Sequence, residues 1–180
     1  AGIPAEQMVF SGVGKRRDEI EAGIDAGVLM FNLESPAELE SIHEIAQRLG
    51  KSAGIAVRIN PNIDAKTHPK ISTGLSKNKF GIPTDQAMDL YQRARTMPGV
   101  EIRGIACHIG SSLMDSGPLL DACALMLDLR KRLIDEEIPI PYLDLGGGLG
   151  IQYHEEIPDS PQRYGERLRE CLGDFDGTLI

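Results

Sequence analysis

The sequence predicts an α/β fold: a partial (β/α) barrel with about six parallel strands. Three observations predict it. Short apolar runs of strand type alternate with segments of helical periodicity along the whole chain, with no hairpin signal and no internal repeat, and such alternation builds a parallel sheet with right-handed crossovers. Val28 to Leu33 is nearly all apolar, as a strand covered on both faces has to be. Polar or glycine residues follow the carboxyl ends of successive strands: Ser11 and Gly12, Asn32 and Glu34, Arg58 and Asn60, His108 and Ser111, Gly146 to Gly148. In a (β/α) barrel that end is the active-site face. A complete barrel needs eight strands and ~250 residues, so 180 residues with a last strand cut short at Ile180 read as part of one.

The elements follow in order. Met8 to Gly12 is a strand, and Lys15 to Ala26 a helix with Ile20 and Ile24 on one face. After the strand Val28 to Leu33, Ser35 caps a helix, Pro36 takes its first position and Glu38 completes a capping box. Leu39, Ile42, Ala46 and Leu49 recur at helical spacing, and Gly50 is the stop. Gly54 to Ile59 is the third strand, ended by Asn60-Pro61. A long polar insert, Asn62 to Ile82, carries His68 to Gly74 and Lys79-Phe80-Gly81; loops of this length in a compact domain are functional or disordered. Pro83 to Met97 is a helix with Ala87, Leu90, Tyr91 and Ala94 inward, Val100 to Ile109 the fourth strand, Pro118 to Glu136 a long amphipathic helix and Tyr142 to Leu145 the fifth strand. Ser160-Pro161 opens a helix that buries Tyr164, Leu168 and Leu172, and Thr178 to Ile180 starts a sixth strand.

The chain carries a net charge of −8 and no compensating basic cluster, which argues against nucleic acid or an anionic membrane surface as partner. No stretch approaches the ~20 apolar residues of a membrane span, and no signal-peptide pattern opens the chain. Ala1-Gly2-Ile3-Pro4 lacks an initiator methionine and reads as the end of a helix and its loop. Cys107, Cys123 and Cys171 are odd in number and widely spaced, which suits free thiols in a reducing cytoplasm. The four histidines show no metal-ligand spacing.

Asp144-Leu145-Gly146-Gly147-Gly148-Leu149-Gly150 is the most informative stretch. Glycines after a strand let main-chain N–H groups approach a ligand closely, so the run forms a nest for an anion such as phosphate. The competing reading is a tight strand-to-helix turn, but such a turn needs one or two glycines and four of the five residues from Gly146 to Gly150 are glycine. The run is not a dinucleotide fingerprint, because Ile151 stands where the last glycine belongs. Nor is Gly14-Lys15 the end of a P-loop: Val9 replaces its first glycine and Arg16 its magnesium-binding hydroxyl.

Taken together, Phe10 to Lys15, Phe31 to Ser35, Arg58 to Pro61, His68 to Gly74, Lys79-Phe80-Gly81, His108 to Ser111 and Asp144 to Gly150 closely resemble the diaminopimelate decarboxylase family, pyridoxal-phosphate enzymes built on an alanine-racemase-like (β/α)8 barrel. The matches keep their order from about residue 8 to about residue 157. The resemblance implies pyridoxal 5'-phosphate as cofactor, with Gly146, Gly147 and Gly148 at its phosphate, Ser111 near that phosphate and His108 stacked on the pyridine ring. A hydrogen-bonded core histidine is the alternative for His108. Arg58 and Asn60 stand where related enzymes place polar residues near the cofactor, with a structural ion pair as the rival role. Ser112 departs from the glutamine common in relatives.

The chemistry also needs a lysine that holds the cofactor covalently and a carboxylate at the pyridine nitrogen. The resemblance puts the lysine on an earlier strand, the acid in a Glu-Pro-Gly-Arg segment after Ile180, and a catalytic cysteine in a C-terminal β domain, so no catalytic residue is expected in residues 1–180 and the isolated chain is expected to be inactive. Lys15 does not match the lysine position and is read as solvent-facing or structural. The implied function is decarboxylation of meso-2,6-diaminopimelate to L-lysine by a cytoplasmic homodimer. The rivals are a sister decarboxylase acting on arginine or ornithine, which the insert Asn62 to Lys70 disfavours, and a catalytically inactive binding homologue, which retention of His108 and the triple glycine disfavours.

Overall fold

The computed structural model describes residues 2–64 and 80–180. The elements are β1 (Val9–Phe10), α1 (Arg17–Ala26), β2 (Met30–Leu33), α2 (Pro36–Leu49), β3 (Ala53–Asn60), β4 (Ile82–Pro83), α3 (Thr84–Arg95), β5 (Val100–Cys107), α4 (Gly117–Asp135), β6 (Tyr142–Asp144), α5 (Pro161–Leu172) and β7 (Thr178–Leu179). One sheet runs in the order β1-β2-β3-β5-β6-β7 with every pair parallel. The sequence reading counts six strands and misses β4, which pairs through Ile82 and Pro83 with the end of β3 at Ile59 and Asn60. A two-residue strand whose second residue is proline has no periodicity to read. The insert motifs from His68 to Gly74 and Lys79 lie outside the described residues.

The alternation of side chains along parallel strands separates two apolar clusters. Phe31, Leu33, Ile55, Val57, Ile59 and Ile105 face the helices and are buried with Leu39, Ile42, Leu90, Tyr91 and Met126. The opposite face holds the smaller cluster Met30, Ala56 and Ala106, with Val9, Leu29 and Tyr142 against it. Tyr164, Leu168 and Leu172 of α5 pack on the helix-side core but remain half-buried, short of the full burial expected.

The start of α2 corrects a local expectation. Ser35 caps as predicted, its hydroxyl accepting from the Glu38 amide at 3.2 Å, and Pro36 follows. The return half of the capping box is not made, because the Glu38 carboxylate accepts from the Glu34 amide at 2.7 Å and from Lys15 Nζ at 2.9 Å. Its charge is spent on a tertiary contact.

Candidate functional site

The inner face of the sheet changes character toward the carboxyl ends of its strands. Two residues beyond each apolar inner position stands a polar one: Asn32 after Met30, Arg58 after Ala56, His108 after Ala106 and Asp144 after Tyr142. This is period-two alternation carried past the core, and it walls a cavity of about 560 Å³ whose polar lining is Ser11, Asn32, Arg58, His108 and Asp144, with Gly12, Gly146 and the apolar Val9, Ala106 and Ile180 completing it beside Cys107. The cavity lies where the sequence places the active-site face.

Asn32 and Asp144 are buried here, and Asn32 Nδ2 spans two intervening strands to donate to Asp144 Oδ2 at 2.7 Å. Asp144 Oδ1 accepts from the Gly146 amide at 2.9 Å. His108 Nδ1 meets the Gly146 carbonyl at 2.9 Å, so the ring is tied to the glycine turn. Burial, and then the neighbouring Asp144 carboxylate, push the Cys107 thiol up to about 12. It stays protonated at neutral pH and is no nucleophile there.

The glycine turn has two layers of explanation. Gly146, Gly147 and Gly148 all take positive φ, at 69°, 67° and 113°. A Cβ on Gly146 would lie 2.4 Å from the Cys107 carbonyl oxygen, and one on Gly148 2.2 Å from that of Gly110, so both positions bring the turn against the loop after β5. Leu113 and Leu149 seal the two loops with a bridge, in which the Leu113 amide donates to Gly148 and the Gly150 amide to Leu113. A Cβ on Gly147 would meet nothing within 4 Å. The backbone there is bare toward open space, which suits close approach of an anion.

Of the predicted site residues, His108 and Gly146 line the cavity, while Gly147 and Gly148 continue the turn beyond it. Ser111 is exposed on the loop after β5, next to Gly110 and so beside Gly148. Arg58 makes the structural ion pair, meeting Glu34 at 2.5 Å, and also lines the cavity, its guanidinium 5.5 Å from the Phe80 ring centroid. Glu34 also accepts from the Gly81 amide at 3.1 Å, and Asn60 donates to the Phe80 carbonyl at 3.2 Å, so the returning end of the insert is held to β2 and β3. Lys15 is structural and not solvent-facing. The sequence reading sets Asn32 on the active-site face but does not place Asp144 in the cavity or join the two; continuing the alternation from Tyr142 finds Asp144. No described lysine lines the cavity, and among the described residues no group of three or more His, Cys, Asp or Glu is placed to hold a metal ion.

Fold and site together define the carboxyl-end face of a partial parallel (β/α) barrel, the face that carries the active site in that fold. Residues 1–178 match the family model described as pyridoxal-dependent decarboxylase, pyridoxal binding domain, and the chain belongs to that family. It is 45% identical over 175 residues to the diaminopimelate decarboxylase of Haemophilus influenzae, covering 97% of this chain and 42% of that protein. It is 46% identical over 180 residues to that of Pseudomonas aeruginosa, covering 100% and 43%. The crystal structure of diaminopimelate decarboxylase from Helicobacter pylori complexed with L-lysine superposes with a TM-score of 0.96 at 41% identity, covering 99% of this chain and 45% of that one. The chain thus spans under half the length of the relatives it matches.

Proposed function

We propose that the protein carrying this chain decarboxylates meso-2,6-diaminopimelate to L-lysine with pyridoxal 5'-phosphate, and that residues 1–180 supply cofactor contacts. The observation that supports this most is the joining of His108 to the glycine turn at the mouth of a cavity in a chain of the pyridoxal-binding family. When bound, the cofactor supplies an electron-accepting ring for the carbanion left by loss of carbon dioxide.

The residues fit that group. The turn Gly146 to Gly148 holds the phosphate: the backbone amides of Gly147 and Gly148 face it, Gly146 shapes the turn with its own amide on Asp144, the bare Gly147 leaves room, and the Ser111 hydroxyl adds a donor beside them. His108, half-buried and fixed by Gly146, presents a flat ring to pack on the pyridine. Arg58, held by Glu34, keeps a cation at the cavity wall. Lys15 Nζ is engaged by three oxygens and does not serve as the covalent anchor. On this reading the anchoring lysine, the acid at the ring nitrogen and a C-terminal β domain belong to the remainder of a longer homodimeric cytoplasmic protein. The net charge of −8 disfavours nucleic acid and anionic membrane surfaces as partners, and no helix among the described residues is long and apolar enough to cross a membrane.

The test is carbon dioxide release by the full-length protein from meso-diaminopimelate, arginine and ornithine in parallel, with and without added cofactor. Cofactor-dependent release from diaminopimelate alone is expected. Release from arginine or ornithine would replace the substrate assignment, and release from none would favour a binding role.

A further inference from the structure

The Asn32 side chain has only one workable orientation. Both protons of its amide are used, one on Ser11 Oγ and one on Asp144 Oδ2, each at 2.7 Å, and exchanging its nitrogen and oxygen would set two acceptors face to face at Asp144. Asp144 is held from β2, and its other oxygen closes a turn on the Gly146 amide two residues ahead. Gly146 at φ 69° sits in one of the several backbone regions open to glycine, so this hydrogen bond selects the conformation. The Gly146 carbonyl then meets His108 Nδ1 at 2.9 Å. A carbonyl only accepts, so Nδ1 carries the proton, and the neutral ring leaves Nε2 without one.

We propose that Asn32 and Asp144 are positioning residues which fix the Gly146 turn and through it hold His108 in one orientation as the Nδ1–H tautomer. The consequence for cofactor binding rests on the proposed role of His108, but the tautomer does not, so the two fail separately. In metal sites, loss of the outer partner that orients a ligating imidazole costs about 10–100-fold in affinity, and the lower end sets the scale expected here.

The experiment is long-range proton–nitrogen correlation NMR on histidine-labelled purified protein in mildly alkaline buffer, with His108 assigned by a His108→Gln control, together with titration of pyridoxal phosphate. The wild type is expected to show Nδ1 in the protonated range and Nε2 in the unprotonated range. Asp144→Leu removes both acceptors without opening a cavity, so His108 is expected to shift toward the Nε2–H form and the cofactor dissociation constant to rise about tenfold. Asn32→Asp combined with Asp144→Asn keeps both hydrogen bonds, since the new amide at 144 donates to the new carboxylate at 32 while its oxygen accepts from Gly146. Tautomer and affinity are expected to match the wild type in that double variant. A wild-type Nε2–H tautomer, an unchanged tautomer in folded Asp144→Leu, or a shifted tautomer in the double variant overturns the proposal. If Asp144→Leu does not fold, the wild type and the double variant decide. A correct tautomer in a protein that does not bind the cofactor sinks the cofactor reading and leaves the positioning role standing.

Discussion

Lys15 Nζ donates to the Glu38 carboxylate at 2.9 Å with the two side chains only 2% and 8% exposed, and it also donates to the carbonyls of Gly12 at 2.8 Å and Asn32 at 2.7 Å. One buried cation therefore joins the loop after β1, the end of β2 and the first turn of α2. All three ammonium protons are used, which is the condition for a buried charge to be tolerated. Because Asn32 also carries the amide that spans the cavity, the ion pair supports the site from behind.

Lys15→Ala removes one partner of that pair and strands the other, so the expected loss of stability is about 3–5 kcal/mol. Urea denaturation of wild type and variant measures it. A change below about 1 kcal/mol would mean that the pair is solvent-accessible in solution.

The glycine turn separates packing from ligand contact. Gly147→Ala adds a methyl group to open space and suffers only the left-handed backbone penalty of about 1–2 kcal/mol. Gly148→Ala adds the same kind of penalty to a 2.2 Å clash with the Gly110 carbonyl and is expected to lose clearly more stability, with a disrupted bridge between the loops. Chemical denaturation ranks the two. Cofactor titration of folded Gly147→Ala then isolates the bare-backbone contribution, and unchanged affinity would reduce the turn to a purely structural one.

Legibility followed the range of the interactions. The helix starts at Ser35 and Ser160 and the left-handed stop at Gly50 are set within a few residues and were readable as patterns, and both serine hydroxyls do cap. His108 and the triple glycine stood out because residue type alone carries their chemistry. The competition for Glu38 was not readable, since Lys15 lies 23 residues away and its reach depends on the assembled sheet. Asp144 was legible as part of the fifth strand, but not its contact across the cavity, because its partner Asn32 is 112 residues distant.

Tyr91 shows the same limit inside the core. Its inward face is evident from helical spacing, but not that its hydroxyl accepts from the Val57 amide at 3.2 Å and donates to the Gly104 carbonyl at 2.8 Å. These groups flank the register shift in which Ile55 pairs with Ile102 and Ala56 with Gly104, leaving Arg103 as the extra residue. Tyr91→Phe keeps the ring and strands both backbone groups, at a cost of about 1–3 kcal/mol for each. Thermal or urea unfolding should show it. A neutral result would mean that water enters the bulge.

Asp159 gives the pH dependence a sign. Its carboxylate accepts from the Ser116 hydroxyl at 2.5 Å and the Ser116 amide at 3.1 Å, while Arg167 reaches both residues. The Ser116 hydroxyl first, then its amide, hold the Asp159 carboxyl below the usual 3.8. A carboxyl lowered on folding stabilises the native state fully above that ordinary value, and the contribution disappears as pH falls through the lower folded value. Asp159→Asn is therefore expected to unfold at a lower temperature than wild type at neutral pH, with the gap closing only below 3.8 as the wild-type carboxyl takes up its proton. Thermal unfolding followed by circular dichroism across that range checks both the sign and the window. A gap that stays constant into acid would show that the carboxylate charge contributes nothing, and that the link from α5 to the start of α4 rests on neutral hydrogen bonds.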